Sequence, residues 1–353
     1  MIKYLDKYKF NKLIGSGAYG KVYEAYDKIN KKNVAIKIVT LYEKEKELKK
    51  ELFTRILYEK EKELEKELFT RISYEISYLK LFNNPYIITL NECFCVNNNV
   101  YIVTELMENN LLTIIKTVPN LTNEHYKIIL YQLLCGLQYL HSSNIIHRDM
   151  KPDNILINDD STIKICDFGL VRKNLSILNN YYKMTDYMAT RWYSPPELLV
   201  IEPEYNESID IWGIGCIAAE LLFKIPFFKG NSCEDQLLKI VETIGNLPKK
   251  LLNKLPNDEK QRYLDTNYKN CLKKRFNILT YEPLLYDLIT HLLCYEESRY
   301  SANEALNHQY FIELRENEME EINIIEGEEM KKINNINFSG KNVNELYKYL
   351  SDI

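Results

Sequence analysis

The hydrophobic period of this chain changes once. Apolar and polar residues alternate from Tyr8 to Ile38 around a glycine cluster, and again from Val100 to Glu105, the period of half-buried strands. After Met107 the period lengthens. The segments His125 to His141 and Asp210 to Phe223 are too long for single strands and apolar enough for buried helices. A strand-rich first third followed by a helical remainder implies an α+β fold in two lobes, a small antiparallel sheet and a mostly helical body, with ligands taken in the cleft between them. The 353 residues suffice to bury a large core, and eleven glycines and ten prolines are too few for a collagen-like or linker-dominated chain.

Charge narrows the function. Forty-six basic residues against 50 acidic give a net charge of −4, so no global field grips nucleic acid or an anionic membrane. Phosphate chemistry here has to be local. The eight cysteines include no CxxC, and Cys93 and Cys95 are the only close pair, which fits neither zinc spacing nor a disulfide scaffold and points to a reducing interior. The opening MIKYLDKYKFNKL is too polar for a signal peptide, and no run approaches the roughly 18 apolar residues of a membrane span. A soluble protein of the cytoplasm, the nucleus or both is the expectation.

One internal repeat interrupts the first third. Leu41 to Ile56 and Leu57 to Ile72 are 16-residue copies that differ only at Lys49 against Glu65. Leu48, Leu52 and Ile56, then Leu64, Leu68 and Ile72, recur every four residues under a dense Glu/Lys face. The plain expectation is a tolerated surface insertion with a solvated charged face; a partner-binding helix is the alternative.

The segment Ile14-Gly15-Ser16-Gly17-Ala18-Tyr19-Gly20-Lys21-Val22 lies between two strand-like stretches. Glycines there admit backbone amides to polyanionic oxygens, because no Cβ blocks the approach. Alone it reads equally well as a hairpin turn. It lacks the GK[ST] ending of a P-loop, and a strand rather than a helix follows, which also disfavours a dinucleotide fold. The order of what comes next decides. Val34-Ala35-Ile36-Lys37 puts a lysine among apolar neighbours, a costly burial unless it meets phosphate and a carboxylate. His147-Arg148-Asp149-Met150-Lys151-Pro152-Asp153-Asn154, Asp167-Phe168-Gly169 and Pro195-Pro196-Glu197 then follow.

On these elements the chain resembles the eukaryotic protein kinases over roughly residues 8 to 312. The resemblance implies an N-lobe of antiparallel sheet plus one helix (1–107, carrying the repeat at 41–72), a mostly helical C-lobe (108–312) and a C-terminal acidic extension (313–353). It also implies ATP and Mg2+ as cofactors and a protein hydroxyl as acceptor. Phosphoryl transfer asks for positioning and charge neutralisation more than for covalent chemistry. By resemblance, Asp167 and Asn154 hold the metal, Lys37 contacts the α and β phosphates, Asp149 orients the acceptor hydroxyl and takes its proton, Lys151 neutralises the transferred group, and Thr190 joins the catalytic set. Ile14, Gly15, Ser16, Gly17, Ala18, Tyr19, Gly20, Val22 and Ala35 cover the nucleotide; Thr104 is the gatekeeper, and backbone groups of Glu105 and Met107 bond adenine. Lys37 needs a helix glutamate. Glu75, in RISYEISYLKLF, is the first choice, with Glu67 or Glu63 as alternatives. Cys166, before Asp167, is either a small buried residue or a thiol facing the nucleotide.

Thr185-Asp186-Tyr187 reproduces a TxY dual phosphorylation motif, Ala189-Thr190-Arg191-Trp192-Tyr193 follows, and with SSNIIHRDMKPDNILIN and SIDIWGIGCIAAELL this resembles the mitogen-activated protein kinases. The resemblance implies activation by an upstream kinase. Phosphothreonine 185 would meet Arg148, Arg172 and Arg71, and phosphotyrosine 187 would meet Arg191. Tyr74 and Ser194 stand where relatives place arginines, and Pro195 where they place alanine, so a smaller gain on phosphorylation is expected. Glu197 is expected to pair with Arg299, and Asp210 to brace the catalytic loop. Glu316, Glu318, Glu320 and Glu321 form a candidate docking patch for basic peptides, or a solvated charge run. Two other readings are a cyclin-dependent kinase relative and a pseudokinase scaffold. The first is opposed by the TxY pair, the second by intact Lys37, Asp149, Asn154 and Asp167.

Overall fold

The computed structural model describes residues 2–17, 20–41, 68–173, 190–200, 205–276 and 282–317. A short helix α1 (Ile2–Asp6) leads into strands β1 (Tyr8–Gly17), β2 (Gly20–Asp27) and β3 (Lys32–Thr40). Helix α2 covers residues 68–81, and β4 (Leu90–Val96) and β5 (Asn99–Glu105) complete an antiparallel sheet of order β1-β2-β3-β5-β4. Side chains alternate between its faces. Ala25, Val34, Ile36, Phe94 and Val103 form one cluster, against which Leu5 of α1 packs. Val39, Val100 and Ile102 face the other way and join Phe69, Ile72 and Ile76 of α2. Lys37, two residues before Val39, therefore points to the α2 side.

The second lobe begins with β6 (Asn109–Asn110), α3 (Leu111–Thr117) and α4 (Asn123–Ser142). Thr122 caps α4, accepting from the His125 amide while the His125 ring accepts from the Thr122 amide. Then come β7 (Ile145–Ile146), β8 (Ile155–Ile157), β9 (Ile163–Ile165) and β10 (Arg172–Lys173), which pair as β6-β8-β9 and β10-β7 and hold the loops between them. The remaining helices are α5 (Pro196–Leu199), α6 (Ser208–Phe223), α7 (Cys233–Ile244), α8 (Lys249–Leu252), α9 (Asn257–Leu264), α10 (Leu272–Phe276), α11 (Pro283–Leu292), α12 (Ala302–Leu306) and α13 (Ile312–Asn317).

The two long apolar segments of the sequence are α4 and α6. Helix α6 is buried from Ile209 to Leu221 and is the post on which the lobe is built. Gly213 is required there, because a Cβ would stand 2.6 Å from the Cβ of Met150 in the 147–154 loop. That loop rests on the helix. No described helix is long and apolar enough to cross a membrane.

The sheet carries a helix, α1, in addition to α2; Tyr4 stacks on Phe94 at 5.4 Å, a tertiary contact that stabilises five residues too few to hold a helix alone. The apolar stripe expected of the second repeat copy reaches the core at Ile72. Residues 42–67 lie outside the described residues, and Leu68 to Ile72 are the first described residues of α2, with Phe69, Arg71 and Ile72 buried.

Glu197 and Arg299 form a fully buried bidentate pair, 2.6 and 3.2 Å, and Arg299 also donates to the carbonyls of Ser208 and Cys294. Removing one partner strands a charge in the interior. Glu197→Ala is expected to lose about 3–5 kcal/mol of stability, read as a lower denaturant midpoint; an unchanged midpoint would contradict it.

Candidate active site

The sheet register sets the roof of the site. Gly17 pairs with Gly20, Gly15 with Val22, Val22 with Lys37, and Ala35 with Thr104, so the glycine hairpin, the lysine strand and the strand leaving the lobe share one array. A Cβ on Gly20 would run into the carbonyl of Ile38, which accounts for glycine at that end of the hairpin. Ile14 is exposed, Val22 and Thr104 are half-buried, and Ala35 and Met107 are buried. Ala18 and Tyr19 lie outside the described residues. The Glu105 amide donates to the Thr89 carbonyl at 3.2 Å, so what Glu105 can offer a base is its own carbonyl.

Lys37 Nζ donates to both carboxylate oxygens of Glu75, at 2.7 and 2.8 Å, and lies 3.8 Å from Asp167. Glu75 is 6% exposed, on the face of α2 turned to the sheet; Glu63 and Glu67 are outside the described residues. Burial disfavours the Lys37 ammonium, but the Glu75 and Asp167 carboxylates outweigh it and hold the group above the ordinary lysine value. Asp167 experiences the same balance in reverse. Burial would raise its carboxyl, whereas Lys37, Lys151 and His147 pull it below the ordinary range and keep it ionised. Its backbone is left-handed, φ 64°, which turns the carboxylate toward Lys37 while the next side chain, Phe168, goes fully into the core. Phe168 meets Phe82, the residue after α2, at 4.8 Å and the His147 ring at 5.1 Å.

The opposite wall is the 147–154 loop. Asp210, at the start of α6, accepts from the amides of His147 and Arg148 at 2.8 Å each and contacts His141 at 2.9 Å. Its burial is offset by these donors, which hold its carboxyl below the ordinary value. Arg148 is left-handed, φ 74°, and Asp149 lines a small pocket with Met150, Tyr193 and Asp210. Asp149 Oδ2 accepts from Lys151 Nζ at 2.6 Å and from Asn154 Nδ2 at 2.9 Å. Asp149 Oδ1 is buried and has no hydrogen-bond partner. Asn154 spends its amide nitrogen on Asp149, leaving Oδ1 to act as a ligand. Asp167 and Asn154 thus offer only oxygen to a cation, the donor type magnesium takes.

Cys166 is half-buried. Burial, reinforced by Asp167, pushes its thiol above the ordinary value, which disfavours the thiolate.

The phosphate-pocket residues are dispersed among several neighbours. Arg148 lies over the Tyr205 ring, 5.3 Å from its centroid, and Arg71 is buried in α2 beside Gly169. Arg191 is buried and donates to the Asn231 carbonyl at 3.1 Å. Thr185, Tyr187 and the side chains of Arg172 and Thr190 lie outside the described residues. Sequence reasoning left His147 without a role, although it sits inside a quoted motif; its ring packs on Phe168 and bonds the Cys166 carbonyl at 3.0 Å. It also missed Tyr205, which no motif marks.

Comparison with known proteins agrees with this geometry. The protein kinase domain family matches residues 8–311. The mitogen-activated protein kinase spm1 of Cytospora mali is 37% identical over 309 residues, covering 86% of this chain and 70% of that protein. The mitogen-activated protein kinase MPS1 of Pyricularia oryzae is equally similar, over 86% and 71%. Extracellular signal-regulated kinase 1 of Dictyostelium discoideum is 34% identical over 324 residues, 88% of this chain and 56% of that protein. With the kinase domain spanning both lobes and these relatives matching most of its length, the chain belongs to the protein kinase family and, within it, to the mitogen-activated serine/threonine kinases.

Proposed function

We propose that this kinase transfers the terminal phosphoryl group of ATP to a protein serine or threonine with Asp149 as the base and Lys37, Asp167 and Asn154 as the nucleotide and metal holders. The observation that carries the assignment is the lone oxygen of Asp149. Lys151 and Asn154 occupy one carboxylate oxygen, so only Oδ1 is left to accept a hydrogen bond. An acceptor hydroxyl bonded there has its oxygen directed at the phosphate and gives up its proton to Asp149 as the new oxygen–phosphorus bond forms and the bond to the departing ADP oxygen breaks. Lys37, fixed by Glu75, meets the α and β phosphates. Bound magnesium supplies positive charge to the phosphate oxygens, with Asp167 and Asn154 Oδ1 as its protein ligands.

Regulation is read from the TxY motif. Phosphate adds about −1.5 to −2 charges and orders a loop when arginines face it. Phosphorylation of Thr185 draws on Arg148, Arg172 and Arg71, and that of Tyr187 on Arg191. Tyr74 stacks on Tyr78 at 6.3 Å, and Ser194 is buried, so neither supplies the cation relatives have. The upstream kinase therefore activates, with a smaller gain than in those relatives. Thr185→Ala, treated with that kinase alongside wild type, is expected to fall well below it in activity; equal activity would refute the switch. A preference for proline after the acceptor follows from the Arg191 to Tyr193 segment, and a degenerate peptide library reads it directly. Basic docking peptides at Glu316, Glu318, Glu320 and Glu321, and work in the cytoplasm or nucleus, complete the reading.

A further inference from the structure

Away from the cleft, residues 249–276 carry nine Lys or Arg against three Asp or Glu, in a chain whose net charge is −4. Lys249, Lys250, Lys269, Lys273 and Lys274 are all exposed. Lys250 reaches Glu296 at 3.3 Å; Lys249, Lys269, Lys273 and Lys274 have no carboxylate partner among the described residues. Backbone stitching brings their segments together. The Cys271 amide donates to the Thr243 carbonyl at 2.8 Å, the Tyr268 amide to Asn246 Oδ1 at 2.7 Å, and Asn246 Nδ2 to Asn267 Oδ1 at 2.9 Å, so the loop before α10 lies along the turn after α7.

At that junction is a cavity of about 250 Å³, walled by Ile244, Leu272, Tyr286 and Leu293 and edged by Asn270 and Ser298. Two of its lining residues belong to the cationic segment: Asn270 and Leu272 lie between Lys269 and Lys273 in the chain. Among the described residues, Glu242 on α7, Asp287 beside Tyr286, and Glu296 and Glu297 before Ser298 are the acidic groups at this junction, fewer than the five exposed lysines. The cavity falls below the roughly 300–1,000 Å³ of small-molecule sites. Its size suits one large side chain, and its mixed lining, with Asn270, Thr290 and Ser298 beside Ile244, Leu272 and Leu293, suits an aromatic anchor with a polar edge, while the exposed lysines of the flanking segments suit carboxylates on either side of it.

We propose that this face of the C-lobe docks an acidic linear segment of a partner protein, which inserts one aromatic side chain into the cavity and lays its carboxylates on Lys249, Lys269, Lys273 and Lys274. The proposal is independent of how the catalytic residues are assigned. The cavity supplies the anchor, and the lysines supply the encounter rate and the selection against basic segments.

Fluorescence polarisation on the full chain tests it, with a labelled heptapeptide holding tryptophan between two runs of glutamate as the probe. It is expected to bind at least about tenfold tighter than the same peptide with alanine for tryptophan, or with lysine for glutamate, and to weaken as salt rises. Lys269→Glu with Lys273→Glu is expected to lose at least about tenfold in affinity. Ser298→Trp, which plugs the mouth and keeps every lysine, is expected to abolish the preference for tryptophan over alanine. Peptide phosphorylation at the wild-type rate shows that each variant is folded, and Lys249→Glu with Lys274→Glu repeats the charge reversal at two other exposed positions. Absence of binding to the wild type, equal binding of the tryptophan and alanine peptides, or undiminished binding by both charge-reversed variants would each overturn the proposal.

Discussion

Asp149→Asn is expected to fold as the wild type does and to lower kcat by at least about 10²-fold. The substitution keeps shape and volume, so Lys151 and Asn154 can still donate to one side-chain oxygen. They fix which way the amide turns. With its oxygen toward those two donors, the new NH2 occupies the position of the unpartnered Oδ1 and points a donor at the acceptor hydroxyl. The hydroxyl is turned around and its proton has no destination. ATP still meets Lys37 and the glycine hairpin, so the KM for ATP should move far less than kcat. Turnover within tenfold of wild type, measured on purified protein, would remove Asp149 from the mechanism.

Asp167→Asn has a comparable expected effect by another route. Asp167 is ionised because Lys37, Lys151 and His147 overcome its burial. The amide removes the charge that binds the cation and leaves Lys37 with Glu75 as its one carboxylate within 4 Å among the described residues. Phosphoryl transfer is expected to fall at least about 10²-fold and to need more magnesium for half-maximal rate. An unchanged magnesium dependence would show that Asp167 does not hold the ion.

The parts of this site that were legible in the sequence are those fixed by short spacing. Asp149, Lys151 and Asn154 sit within one six-residue stretch, and their mutual hydrogen bonds follow from it; the two long apolar segments become α4 and α6 because unbroken burial leaves few alternatives. What could not be read depends on distant contacts. Which Asp149 oxygen is left over is decided by where Asn154 turns its amide nitrogen, and that is a matter of atoms, not of motif. The stripe of the second repeat copy marked Leu68 and Ile72 as apolar, but not that Phe69 and Ile72 meet Val39 and Val100, some 30 residues away on either side along the chain. Arg148 over Tyr205 joins residues linked by no local pattern. The short α1 depends on Tyr4 finding Phe94, ninety residues on.

Lys37, Glu75, Asp167, Asp149 and Asn154 are read here as one phosphotransfer centre, and a double-mutant cycle on kcat/KM is the sharpest test of that unity. Groups that act as a unit are strongly non-additive. Asp149→Asn combined with Asp167→Asn is therefore expected to cost little more than the worse of the two alone. A double variant whose loss equals the product of two large single losses, or either single variant turning over at the wild-type rate, would contradict it.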